Sequence, residues 1–132
     1  DGSFVVDAIS TDGGCIPRNV ILSQGLSLVK LDILSLSEFA QKTSLNPARM
    51  LRLTTKGHLS VGADADMTIY DYATQEPKAT FVEGRKVLWD GKVIAKGATV
   101  ICTERGKEAI EKRGMKAVVV DPGRQVERVK AL

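Results

Sequence analysis

Lys56-Gly57-His58-Leu59-Ser60-Val61-Gly62-Ala63-Asp64-Ala65-Asp66-Met67-Thr68-Ile69-Tyr70-Asp71 is where the chain changes character. Before it, apolar residues recur at helical spacing. From Ala65 to Asp71 they alternate with polar ones, the period of a half-buried strand. Gly57 and Gly62 permit tight turns between the two regimes. Asp64 and Asp66 bracket the small Ala65, where short acids can accept backbone N–H groups at a strand start. The stretch reads as a junction between a helical part and a sheet, and its two aspartates as structural.

Upstream, Ser35-Leu36-Ser37-Glu38 is a capping box. The serine oxygen takes the N3 backbone N–H while the glutamate reaches back to the cap's own N–H. This predicts a helix with Leu36, Phe39 and Ala40 on one face, ending near Thr43. A second helix is expected from Asn46 as cap, with Pro47 at the first helical position. Met50, Leu51 and Leu53 face its core, and Gly57 ends the segment. Nearer the start, Asn19 caps a short helix carrying Val20, Ile21 and Leu22, with Gly25 as its stop. Residues 26–34 are too apolar and too poorly patterned to assign. Residues 7–11 form a short β-branched strand ended by Asp12-Gly13-Gly14.

Downstream, residues 79–82 and 86–89 are strands joined at Glu83-Gly84-Arg85. Asp90-Gly91, flanked by Leu88-Trp89 and Val93-Ile94, is a two-residue hairpin turn whose central positions need positive φ. Residues 98–102 add one more strand. The tail reads as a helix over 107–113, a break at Gly114, a strand over 117–120 and a turn at Asp121-Pro122-Gly123. The expected fold class is α+β, with an antiparallel part of four or five strands. Three units follow: residues 1–56, 57–103 and a helix–strand tail, 104–132.

The 132 residues are 43% hydrophobic and 27% charged, the balance of a globular chain. The net charge of +3 is scattered among acids, without the basic stripe that nucleic-acid binding needs. No apolar run approaches the roughly 20 residues of a membrane span. Neither nucleic acid nor membrane is an expected partner. Cys15 and Cys102 belong to no C-x-x-C pair, and reduced thiols in a cytoplasmic protein are expected. The chain begins with Asp1 instead of methionine, and we expect a piece of something longer.

Asn46-Pro47-Ala48-Arg49-Met50-Leu51, followed by the junction from Lys56 to Asp71, resembles the C-terminal signature of the amidohydrolase superfamily of metal-dependent hydrolases. In that superfamily, which includes deacetylase, D-aminoacylase and dihydroorotase-like cyclic amidohydrolases, an NPA helix precedes GxLxxGxDADxxxxD. Phe81-Val82-Glu83-Gly84-Arg85-Lys86-Val87 and Asp90-Gly91-Lys92 resemble its closing hairpin. The resemblance spans roughly residues 7–100, and the tail after about Thr103 matches no pattern. It implies that residues 7–11 are the last strand of a (β/α)8 barrel and residues 19–52 its closing helices. The β meander would be the C-terminal half of a β-sandwich.

Active sites of such barrels lie at the C-terminal ends of the strands, which is where the resemblance places Asp12. There it implies an acid that contacts the metal, accepts a proton from metal-bound water and passes it to the leaving nitrogen. Gly13 and Gly14 would form the substrate loop, since glycine permits close approach. Cys15 either contacts substrate or metal there, or is a small buried thiol. Without the resemblance, an aspartate before Gly-Gly is a turn residue. The superfamily's other ligands are an H-x-H pair, a carboxylated lysine or glutamate and two later histidines. This sequence has one histidine, His58, and it falls in the GxL turn, where it reads as solvated. Ile9-Ser10-Thr11-Asp12 is closer to deacetylase-like and D-aminoacylase-like members than to dihydroorotases.

The resemblance implies the C-terminal fragment of a metal-dependent amidohydrolase cleaving the C–N bond of a small amide or cyclic amide. The parent would use a divalent metal, zinc, with none bound by this chain alone and no activity in isolation. The alternative is a non-catalytic β-rich interaction or oligomerisation module. Val20, Ile21, Leu22, Leu28 and Leu36 would otherwise lack partners. An unpaired first strand tends to find another chain, so a homo-oligomer, association with the missing barrel part or a rearranged N-terminus is expected.

Overall fold

The computed structural model describes residues 4–14, 17, 19–97 and 99–124. Its helical part comprises α1 (Ile21–Lys30), α2 (Leu36–Ala40), a π-helical turn (Gln41–Leu45) and α3 (Asn46–Met50). The strands β1 (Met67–Asp71), β2 (Glu76–Val82), β3 (Arg85–Trp89) and β4 (Lys92–Val93) come next. The order closes with β5 (Thr99–Cys102), α4 (Glu104–Glu111), β6 (Lys116–Val119) and a 3-10 turn at Pro122–Arg124. Helices and strands are thus mixed, as α+β requires.

The first helix departs from expectation at both ends. Val20 precedes it in place of Asn19, no side chain caps it, and Gly25 is buried within it instead of stopping it. Phe39 is the reason. A Cβ on Gly25 would stand 2.1 Å from Cε2 of that ring, so the glycine lets α2 seat its aromatic side chain on the α1 backbone. Leu26, Val29, Leu34 and Phe39 form a buried cluster, with Ile9, Ile21, Leu22 and Tyr70 packed against it. The segment before α1, the first two helices and β1 therefore meet at one place. Leu26 is fully enclosed, and burying such a side chain contributes about 1.5–3 kcal/mol.

The capping box forms as expected. Glu38 N–H donates to Ser35 Oγ at 3.2 Å, and Ser35 N–H donates to Glu38 Oε2 at 2.8 Å. Phe39 is buried, whereas Leu36 and Ala40 stay exposed. The helix does not end near Thr43. Helix α2, the π turn and α3 run on without interruption, and Asn46 has helical φ −66 and ψ −46 instead of a cap's extended backbone. Pro47 lacks an N–H, and inside a regular α-helix its ring would crowd the carbonyl four residues back. Widening one turn to i→i+5 bonding accommodates it. Asn46 N–H accordingly donates to the Gln41 carbonyl. Gly57 has φ +80, and a Cβ there would stand 2.5 Å from the Ser44 carbonyl oxygen.

Strands β1 to β4 form an antiparallel meander in sequence order. Met67 faces Phe81 and Asp71 faces Glu76, with an irregularity between Ile69 and Tyr70. Both two-residue turns have the double positive φ of type I′: 50 and 73 at Glu83 and Gly84, 47 and 73 at Asp90 and Gly91. In the β1–β2 connection, Asp71 Oδ1 accepts the N–H groups of Ala73 and Thr74 at 2.8 and 3.0 Å.

Residues 99–102 do not extend this sheet. Strand β5 pairs in parallel with β6, and α4 is the crossover that a parallel pair requires. Residues 7–11 do not form the expected strand either, and lack a ladder partner among the described residues. No helix among the described residues is long and apolar enough to cross a membrane.

Replacing Phe39 by Ala should destabilise the chain by about 3–5 kcal/mol, measured by urea unfolding. Gly25→Ala should also destabilise it, although alanine favours a helix interior by about 1 kcal/mol. A raised melting temperature for Gly25→Ala would refute the close seating of Phe39.

Candidate functional site

Asp12 stands in the turn after residues 7–11, with φ +46, a conformation aspartate adopts more readily than most residues. Its N–H donates to Ser10 Oγ at 3.4 Å, and its side chain is exposed. Gly13 is half-buried and Gly14 exposed. Among the described residues nothing lies within 4 Å of where a Cβ on Gly14 would be. Cys15 lies outside the described residues.

The segment leading to Asp12 is fastened to the π turn. Ile9 N–H donates to the Lys42 carbonyl at 3.0 Å. Asn46 Nδ2 donates to the Asp7 carbonyl at 2.7 Å. The buried Lys42 ammonium donates to the Val6 carbonyl and lies 4.6 Å from the centroid of the Phe4 ring. By sequence Asn46 resembles a cap, and Lys42 has no evident role. The one available signal is the lack of any glycine or other breaker between Phe39 and Asn46.

Among the described residues no three His, Cys, Asp or Glu side chains gather as metal ligands would. A catalytic zinc takes three protein ligands and a water, so these residues do not fit a complete metal centre. His58 is occupied at the end of the helical part: Nε2 bonds the Thr54 carbonyl at 2.9 Å, and Ser60 N–H reaches Nδ1 at 3.4 Å. Cys102 is a half-buried free thiol on β5.

The junction holds a second polar cluster. Lys56 Nζ lies 2.7 Å from Asp64 and 2.6 Å from Asp66, and Asp66 Oδ1 accepts Glu83 N–H at 2.7 Å. Hydrogen bonding from Lys56 holds the Asp64 carboxyl below its ordinary range. Desolvation pushes Asp66 upward, but the Lys56 and Glu83 hydrogen bonds outweigh it and leave the group below its ordinary range. Desolvation likewise works against the Lys56 ammonium, and the two carboxylates overcome it, so its pKa is raised. The groups are committed to one another, which suits a structural tie.

A mostly apolar cleft of about 840 Å³ opens between the helical part and the strands, with Leu22, Phe39, Leu51, Tyr70, Phe81 and Ile101 among its walls. Asp12, Gly13 and Gly14 do not line it. The recess and the candidate acid are separate features.

The amidohydrolase family model matches residues 29–95, just over half of the chain. The chain belongs to the amidohydrolase family. The formyltransferase/hydrolase complex Fhc of Methylorubrum extorquens contains a protein that is 41% identical over 73 residues, 55% of this chain and 13% of that protein. Protein FwdA of Methanocaldococcus jannaschii is 39% identical over 72 residues, 50% of this chain and 13% of that one. A dihydroorotase of Syntrophus aciditrophicus is 48% identical over 48 residues, 36% of this chain and 11% of the enzyme. The chain thus spans about an eighth of the length of these curated relatives. One polypeptide in the crystal structure of the Methylorubrum extorquens complex with methylofuran overlays with TM-score 0.45 at 32% identity, covering 61% of this chain and 18% of that one. None of these carries a deacetylase or D-aminoacylase name, the grouping that residues 9–12 suggest.

The junction's pH dependence has a definite sign. Carboxylates with depressed folded pKa values stabilise the fold above their unfolded value of about 4, and that contribution fades as pH falls through the folded values. Lys56, raised when folded, contributes fully below about 10.4 and loses its contribution as pH rises through its folded value. Melting temperatures of Lys56→Met and the parent chain should therefore differ most between about pH 5 and 9 and converge as pH drops below about 4. A constant difference down to about pH 2 would refute the ionic tie.

Proposed function

We propose that this chain is the C-terminal part of a metal-dependent amidohydrolase hydrolysing the C–N bond of an amide or cyclic amide, with Asp12 as its proton-handling acid. The supporting observation is the family match over residues 29–95, with Asp12 in the turn shortly upstream of the matched region. Hydrolysis places hydroxide on the carbonyl carbon and a proton on the departing nitrogen. A carboxylate within reach can take that proton from the attacking water and deliver it to the nitrogen. On this reading residues 7–11 close a barrel, and β1 to β4 are one share of a β-sandwich. The described residues do not complete a metal site, and on this reading its other ligands come from outside them.

Association with other chain segments or copies is favoured by the surface. Leu59, Val61 and Val93 are each more than three-quarters exposed, and one relative belongs to a multi-protein complex. Sedimentation of the 132-residue chain should show a dimer or larger species. A monodisperse monomer that binds no hydrophobic dye counts against this reading.

In the complete protein, Asp12→Asn should lower kcat for an amide substrate about 10²- to 10⁴-fold. The side chain is exposed, so the unfolding midpoint should barely move. Activity within about threefold of the parent would remove Asp12 from the chemistry.

A further inference from the structure

We propose that Asn46 and the π turn it closes are the device that positions Asp12, an inference resting on the catalytic reading of that aspartate. The cause lies one residue further on. In the π turn Asn46 N–H donates five residues back, to Gln41. The next bond of that series would run from residue 47 to the Lys42 carbonyl, and Pro47 has no N–H with which to make it. The Lys42 carbonyl is thereby released from the helix, and Ile9 N–H takes it at 3.0 Å. The same turn presents the Asn46 amide to the Asp7 carbonyl at 2.7 Å and the Lys42 ammonium to the Val6 carbonyl.

Residues 6, 7 and 9 are thus held at three points by residues 42 and 46. They have no ladder partner among the described residues to do this instead. Ile9 adds an apolar contact to the buried cluster. Asp12 follows Ile9 by three residues, a span of at most about 10 Å when fully extended, so the anchor limits where the carboxylate can go. Asn46 is a positioning residue: it acts on the backbone of the strand-like segment and touches no reacting group. The requirement is for a side-chain N–H donor of that length. Aspartate has the same shape but would set a carboxylate against a carbonyl.

The test uses Asn46→Asp, with Asn46→Gln as the variant that keeps the donor. In the 132-residue chain, Asn46→Asp should speed amide hydrogen exchange at Ile9 about tenfold and leave the amides of β1 to β3 unchanged. Asn46→Gln should restore part of the protection. In the complete protein, Asn46→Asp should lower kcat about 10- to 100-fold with KM within about threefold, and Asn46→Gln should recover part of kcat. Parent-like exchange at Ile9 together with parent-like kcat in Asn46→Asp overturns the anchor and leaves the reading of Asp12 intact. Full activity of Asp12→Asn sinks that reading, and with it Asn46's part in catalysis. Accelerated exchange at Ile9 would then leave Asn46 only as an anchor of the backbone.

Discussion

One ammonium group between two carboxylates sets the relation of the helical part to the sheet. Lys56 stands where the chain leaves the helices, and Asp64 and Asp66 where it enters β1. Asp64 N–H also bonds the Thr55 carbonyl at 2.8 Å, so backbone and side chains close the same loop. The tie continues past the junction. Asp66 receives Glu83 N–H from the β2–β3 turn, and the Glu83 carboxylate meets Lys116 of β6. Single surface ion pairs are worth little, but here Asp66 also accepts a backbone hydrogen bond. Removing Lys56 would leave two neighbouring acids facing each other with no cation between them.

Pro47 imposes the second constraint. A proline within a helix normally kinks or ends it, and the sequence invites the simpler solution of a fresh helix starting at Asn46. The chain instead keeps one helical run and absorbs the misfit in a wide turn. Two groups are freed by that choice, the Lys42 carbonyl and the Asn46 amide, and both bond the segment that precedes Asp12. A local backbone misfit thus becomes a long-range attachment.

What is legible in the sequence is local. The Ser35 capping box, the Asp90-Gly91 turn, the Glu83-Gly84 turn and the change of period at Ala65 depend on residues close to one another in the chain, and they form as expected. What the sequence hides depends on distant partners. Gly25 looks like a stop until Phe39 is known to lie against it. Residues 99–102 look like a fifth meander strand because periodicity carries no information on pairing, and they pair with β6. Residues 7–11 have the composition of a strand but no neighbour to ladder with among the described residues. Family resemblance supplies the interest in Asp12, since the residues around it alone describe a turn.

The separation of Asp12 from the apolar cleft has a chemical consequence. Charge on a carboxylate at an open turn is met by water, whereas electrostatic catalysis depends on a site from which water is largely excluded. Any state in which Asp12 handles the proton of a hydrolysis must therefore cover this turn, and no wall for that purpose stands beside Gly14 among the described residues. The apolar cleft and the exposed Leu59, Val61 and Val93 ask for cover on the same physical ground, removal of apolar surface from water. Covering them and enclosing Asp12 are separate requirements that a single assembly could meet together. On the proposed reading of Asp12, the tie of residues 6–9 to the π turn would hold the acid in place within such an assembly.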